Sequence, residues 1–227
     1  PTRASSLDRM TRTRLARSLP EAARQFLGFT SPRILLTCLA LAVVVRVWVG
    51  DYRWSNLLWF VVVIAVQPFL EWVLHIGVLH ARPVEVAGRQ FDTVVARDHR
   101  AHHADPRDLP LIFIPLRWCL YLVASVLLVG LLIPDWSGRS TFWVAAFGMA
   151  LAYEWSHFLI HTDYKPRSTA YRHLYTNHRL HHFRNEKYWF GITNTLGDRV
   201  LHTAPAKDDV PVSPTARNLH GDLAPRN

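Results

Sequence analysis

Four apolar stretches organise the chain: Ile34 to Val49, Leu57 to about Val78, Trp118 to Ile133, and Thr141 to Ile160. A bilayer core about 30 Å thick needs roughly 20 predominantly apolar helical residues, so each stretch reads as a membrane-spanning helix. A separate short apolar run, Leu111 to Ile114, precedes the third. The second and fourth turn polar only at their C-terminal ends, where histidines begin to appear. The expected fold class is all-α integral membrane, with four transmembrane helices beneath a histidine-rich helical cap.

The flanking regions read differently. Residues 1–33 form a basic leader in which Leu7, Met10, Leu15, Leu19, Phe26 and Leu27 alternate with arginines. Two readings stay open: a helix lying on an anionic membrane surface, interrupted by Pro20, or a disordered leader that serves only topology. No small-residue cleavage site follows the first apolar run, so it does not read as a cleaved signal peptide. From Pro205 to residue 227, prolines, aspartates and small residues predict a disordered tail.

Composition supports the membrane reading, because half of the 227 residues are hydrophobic and only 19% are charged. Disorder and collagen-like or disulfide-stapled classes are excluded; Cys38 and Cys119 each sit inside an apolar run. A formal charge of +9 cannot reside in the bilayer interior and must lie at its edges. Seven arginines precede the first helix, six occupy the loop from Ala81 to Arg117, and ten Lys plus Arg follow Thr162. The turns Gly50 to Asn56 and Pro134 to Ser140 hold one arginine each. By the positive-inside rule, both termini, the middle loop and the histidines are expected on the cytoplasmic side.

Thirteen histidines occur, and ten fall into four groups: His75 and His80 (HxxxxH), His99, His102 and His103 (HxxHH), His157 and His161 (HxxxH), and His178, His181 and His182 (HxxHH). Helical residues three and four apart lie near one face, so the last three motifs present their rings within narrow arcs. A five-residue step separates His75 from His80 widely in angle, so a helix break or bulge is predicted there, with Gly77 permitting it. His173, His202 and His220 stand outside the motifs and read as ordinary histidines. All four groups fall on the same expected side of the membrane, and a pair of metal ions with four or five nitrogen ligands each would account for them.

Imidazole suits zinc, copper, iron and nickel alike. The chain has no HExxH zinc-hydrolase motif. Haem ligation leaves adjacent pairs such as His102 and His103 unexplained, and only Glu154 to His157 matches the Glu-x-x-His of carboxylate di-iron bundles. What remains is a histidine-built non-haem di-iron site within reach of lipid acyl chains. The competing non-enzymatic reading is a membrane metal-binding or transport protein. It requires polar residues at mid-membrane, where Arg46 and Gln67 are the main candidates and mark no continuous path.

The ordered histidine motifs, the EWVLH and EWSHFLIH helix ends, and the stretch from His181 to Thr193 resemble the membrane fatty acid hydroxylase and sterol desaturase superfamily over about Glu71 to Thr203. The HxxxxH form and the step from His80 to His99 look more like fatty acid 2-hydroxylases than the sterol branch. The resemblance implies a hydroxylase-like domain over residues 34–204 and a cytoplasmic cap holding a dimetal centre. It implies that His75, His80, His99, His102, His103, His157, His161, His178, His181 and His182 are the ligands. Its implied cofactors are two Fe ions, which Zn replaces in some recombinant preparations, with O2 as co-substrate.

The implied reaction is hydroxylation of a long-chain fatty acid or acyl lipid, with the 2-position as the candidate carbon; sterol or carotenoid hydroxylation, or lipid desaturation, are the alternatives with the same centre. Residues 1–33 are too few for a fused cytochrome b5 domain, so a separate cytochrome b5-like or ferredoxin-like electron donor is expected, steered by the basic face. No nucleic-acid partner is expected. Around the ligands, Glu71 and Glu154 are candidates to accept a hydrogen bond from His75 and His157, with direct metal contact as the alternative. Asp98 and Asn177 are candidate helix caps or partners of outer N–H groups. Asp198 has either a supporting or a purely structural role. Trp155, Phe158, Tyr188, Trp189 and Phe190 line an acyl entrance or anchor the membrane interface.

Overall fold

The computed structural model describes residues 14–220. The part of the leader carrying Leu7 and Met10, and the tail beyond His220, lie outside the described residues. The leader's remainder forms α1 (Leu19–Phe26), whose N-cap Ser18 accepts a hydrogen bond from the Glu21 amide. Pro20 starts this helix rather than interrupting it, because a first-turn residue has no intrahelical N–H bond to lose. Ala22 and Phe26 are buried, and Phe26 packs against Phe113, Trp155 and Phe158.

Four long helices follow: α2 (Thr30–Val49), α3 (Leu57–Leu74), and, after the shorter α4 (Val94–Ala104), α5 (Leu116–Leu131) and α6 (Trp136–Ile160). Gly50, in the left-handed region at φ 66°, ends α2. Helix α6 packs against α2, α3 and α5 and so forms the centre of the bundle. Close approach is built in at Gly130 of α5, where a Cβ would lie 2.0 Å from the Trp143 indole nitrogen of α6.

Among the described residues, three stretches are long and apolar enough to cross a membrane: Thr30–Val49, Trp54–Leu79 and Leu109–Leu131. They contain the first two expected spans and all of the third except Leu132 and Ile133. Helix α6 has the length, 25 residues, but falls outside that set; Ser137, Ser140, Thr141, Glu154 and His157 are polar and buried in it.

The predicted break after His75 is a π-helical turn, His75–Leu79, in which the His80 amide donates to the His75 carbonyl at 3.0 Å. Five-residue closure brings residues five apart to one side of the axis, which an α-helix does not do. The all-α expectation needs one amendment, an antiparallel hairpin of β1 (Val84–Val86) and β2 (Arg89–Phe91). Ala87 and Gly88 both have positive φ, the two-residue turn that matches strand twist.

Beyond α6, α7 (Thr169–Phe183) carries the last histidine motif and α8 (Leu196–Val200) sits against α3. The disordered-tail expectation does not hold for residues 205–220. Val210, Ala216 and Leu219 are buried, and main-chain bonds such as Ser213 N to Arg184 O, 2.7 Å, tie the segment down. Three of its few apolar side chains are turned inward while Val212 stays exposed, a placement that a composition average over the tail does not reveal.

Candidate metal centre

The rings come from four elements. His75 and His80 bracket the π-turn, His99, His102 and His103 project from α4, His157 and His161 from the end of α6, and His178, His181 and His182 from α7. Helices α4 and α7 start at side-chain caps, Thr93 on the Ala96 amide and Ser168 on the Tyr171 amide. Asp98 and Asn177 lie inside these helices and cap neither, so the capping alternative for them does not hold.

The ten rings gather into two sets of five. One is His75, His80, His99, His103 and His181; the other is His102, His157, His161, His178 and His182; within each, one nitrogen per ring lies within 4.8 Å of all the others. Each HxxHH motif is therefore shared: the residues four apart serve one set and the residue between them turns about 100° toward the other. The sets touch where the His103 and His182 rings stack at 4.1 Å.

Several ring orientations are fixed by main-chain carbonyls. His75 Nδ1 bonds to Phe190 O at 2.9 Å, His181 Nδ1 to Tyr188 O at 2.8 Å and His103 Nδ1 to Ala216 O at 2.8 Å. A carbonyl only accepts, so Nδ1 carries the proton and Nε2 keeps its lone pair toward the centre of the set. Nε2 of His75, His99, His103 and His157 is buried without a hydrogen-bond partner. Elsewhere Nε2 atoms crowd together: His102 to His161 at 3.1 Å, His161 to His178 at 3.0 Å, His178 to His182 at 3.0 Å and His80 to His181 at 3.2 Å.

Burial drives these imidazoles toward the neutral, ligand-competent form. It pushes His103 down to about 4, against the opposing Ala216 carbonyl and Glu186 carboxylate. It also holds His99, His102, His178, His181 and His182 well below the ordinary imidazole value, with neighbouring rings adding to the shift. Converging lone pairs with no proton donor between them repel one another unless a cation lies at their focus. Nitrogens about 3 Å apart suit adjacent ligands bound at roughly 2.1 Å. The donor set thus fits two metal ions.

The carboxylates act elsewhere than expected. Glu71 accepts from the Ile192 amide, from Thr193 N at 3.2 Å, from Thr193 Oγ1 at 2.5 Å and from Gln67 Nε2 at 2.9 Å, and it makes no bond to His75. Asp198 accepts from Phe190 N at 2.9 Å, Gly191 N at 2.7 Å and Thr203 Oγ1 at 2.7 Å. Asn177 donates to Gly191 O at 3.1 Å. All three lock the turn 190–193, whose Phe190 carbonyl orients His75. Glu154 accepts from Ser31 Oγ at 2.6 Å and Ile114 N at 2.9 Å, joining α2 to the start of α5 rather than touching His157.

Among the aromatics, Phe190 packs on His75 and His181, with centroids 5.4 and 5.2 Å apart. Trp155 and Phe158 belong to the buried cluster with Phe26 and Phe113. The anchoring carbonyls of Tyr188, Phe190 and Ala216 escaped sequence reasoning, since a main-chain oxygen leaves no residue-type signal. Thr193, in the stretch that carried the resemblance, was the visible part of that support.

Apolar spanning helices beneath a cap that gathers ten histidines into two sets of five define the class: a helical membrane protein built around candidate metal sites. The family profile described as "Fatty acid hydroxylase" matches residues 60–203, and the chain belongs to the fatty acid hydroxylase family. A dihydroceramide fatty acyl 2-hydroxylase of Arabidopsis thaliana is 30% identical over 137 residues, 60% of this chain and 56% of the relative. A fatty acid 2-hydroxylase of Macaca fascicularis is 27% identical over 183 residues, 79% of this chain and 44% of the relative. The chain thus spans about half the length of the curated relatives it matches. The solved structure of full-length scs7p, in which only the hydroxylase domain is visible, shares the fold: TM-score 0.60, 20% identity, covering 94% of this chain and 74% of that one.

Proposed function

We propose that the chain hydroxylates a long-chain fatty acid or acyl lipid with O2 at the carbon next to the carboxyl or amide group, using two iron ions held by the ten histidines. The observation that carries this reading is the pair of five-histidine sets, in which four buried Nε2 atoms have no partner and the others crowd against one another. The 2-hydroxylase names of the relatives support the reaction and position. In the balance, one oxygen atom enters a C–H bond and the other leaves as water, with two electrons and two protons supplied by a cytochrome b5-like or ferredoxin-like donor. Iron bound in these sites supplies the redox chemistry that activates O2.

The chain's residues supply geometry and dryness. The carbonyls of Phe190, Tyr188 and Ala216 aim His75, His181 and His103, and Glu71, Asp198 and Asn177 hold the turn that presents the Phe190 carbonyl. Phe190 and the buried ring packing exclude water from the sets. In this reading α6 is a fourth span, sheltered by its neighbours, and both termini and the histidine cap face the cytoplasm.

Protein purified with iron should hold about two metal ions per chain and, with a reductant and 18O2, transfer label to an acyl lipid. Fragmentation of the product should place the label on the 2-carbon. His157→Ala should lower metal content and abolish transfer. Stoichiometric metal without oxygen transfer to any lipid would leave a binding protein; label at a distant carbon would refute the position.

A further inference from the structure

The family match ends at residue 203, yet the next stretch of chain is built into the cap. Arg184 Nε donates to Val210 O at 2.7 Å, Thr215 Oγ1 to the Glu186 carboxylate at 2.6 Å and Arg217 to Ala104 O at 3.0 Å. Two further contacts reach the histidines. His103 Nδ1 donates to Ala216 O at 2.8 Å, and His220 Nε2 donates to the main-chain carbonyl of His80 at 3.0 Å, where the π-turn closes.

Both contacted histidines belong to the same set, His75, His80, His99, His103 and His181. His80 is also the one member of the ten that is only half buried. It borders a cavity of about 560 Å³ whose wall includes Thr215, Leu219 and His220 together with Arg82, Lys187 and Phe190. Among the described residues, no ring of the other set is hydrogen-bonded to this segment.

We propose that residues 213–220 are a positioning strap for one of the two metal sites, aiming His103 and His80 and closing that site's solvent-facing side while leaving the other site independent of it. This rests on the reading of the ten histidines as metal ligands. Outer hydrogen-bond partners of ligating imidazoles typically govern metal affinity by about 10- to 100-fold. The strap supplies one such partner through Ala216 and braces a second ligand through His220. Leu219, almost wholly buried, seats it.

The test uses the full chain in detergent, loaded with zinc and challenged with excess chelator while release is followed in time. With Leu219→Ala and His220→Ala together, one zinc per chain should leave about tenfold faster or more, the other at the wild-type rate. His220→Gln, which retains a side-chain N–H donor, should restore most of the slow rate. Thr215→Val, which removes the hydroxyl's bonds to Glu186 and Ser213, should give a smaller shift in the same direction. Release of both ions at wild-type rates, or equal acceleration of both, would overturn the strap. A wild-type chain that takes up no metal pair would instead sink the ligand reading, and the strap with it.

Discussion

The spans and the cap bury opposite things. Val44, Ile64 and Leu128 of the spans are each more than half exposed, whereas His102, His103, His178, His181 and His182 of the cap are wholly buried. A span in lipid needs only its own backbone hydrogen bonds and apolar surroundings. The cap instead encloses imidazoles of which four, His75, His99, His103 and His157, have a buried Nε2 without a partner, and each such orphan costs about 1–3 kcal/mol. On the proposed reading, the difference teaches that the two regions owe their order to different agents, lipid for one and a bound cation for the other.

Metal removal should separate them most sharply. In small domains that fold around zinc, binding contributes on the order of 10 kcal/mol to order. After chelation, amide hydrogen exchange should rise steeply in α4 and α7 while α2 and α5 keep their protection. Equal protection before and after would mean that packing alone sustains the cap.

The sequence made much of this division legible, for physical reasons that differ by region. Apolar runs identify spans because lipid demands continuity. HxxHH and HxxxH mark the sets because helix geometry fixes where rings point. The five-residue step at His75 and His80 announced a distortion, and the π-turn supplies it. The assignment of rings between two sets was not readable, because it depends on how α4, α6 and α7 cross. Helical spacing suggested Glu71 to His75 and Glu154 to His157, but both carboxylates turn to other elements with unpaired donors to satisfy. The ordered segment 205–220 was hidden because three buried apolar side chains and main-chain bonds hold it, and neither alters composition.

Glu71 joins the two regions, so its replacement should have the next largest effect. Glu71→Ala leaves the Ile192 and Thr193 amides without their acceptor in a buried turn, costing about 2–5 kcal/mol. Because the same turn carries the Phe190 carbonyl, metal affinity should fall about tenfold at the His75 set and less at the other. Glu71→Gln, which retains an oxygen acceptor, should lie between the two. Competition titration with a chromophoric chelator resolves the sites; equal loss at both would argue that the turn supports the cap as a whole.

Gly197→Ala probes the same junction by crowding it. A Cβ at Gly197 would lie 2.5 Å from the Pro68 carbonyl oxygen, so α8 must move away from α3. Overpacking against backbone costs about 1–3 kcal/mol. The expected result is a lower unfolding midpoint with two metals still bound, since neither ring set is touched directly. Loss of metal without loss of stability would place the junction's role in the site rather than in packing.

The smallest effect should come from the lipid-facing surface. Cutting a buried aliphatic side chain to Ala in a water-excluded protein core typically costs about 2–5 kcal/mol. Ile64, more than half exposed on α3, has no such core to vacate. In Ile64→Ala, lipid fills the space that the side chain leaves, and apolar contact is exchanged for apolar contact. The change in unfolding free energy in lipid nanodiscs should therefore stay within about 0.5 kcal/mol, with metal content unchanged. A cost of core size would mean that this face of α3 is covered by protein rather than lipid, and that the contrast between spans and cap is less complete than the exposed side chains indicate.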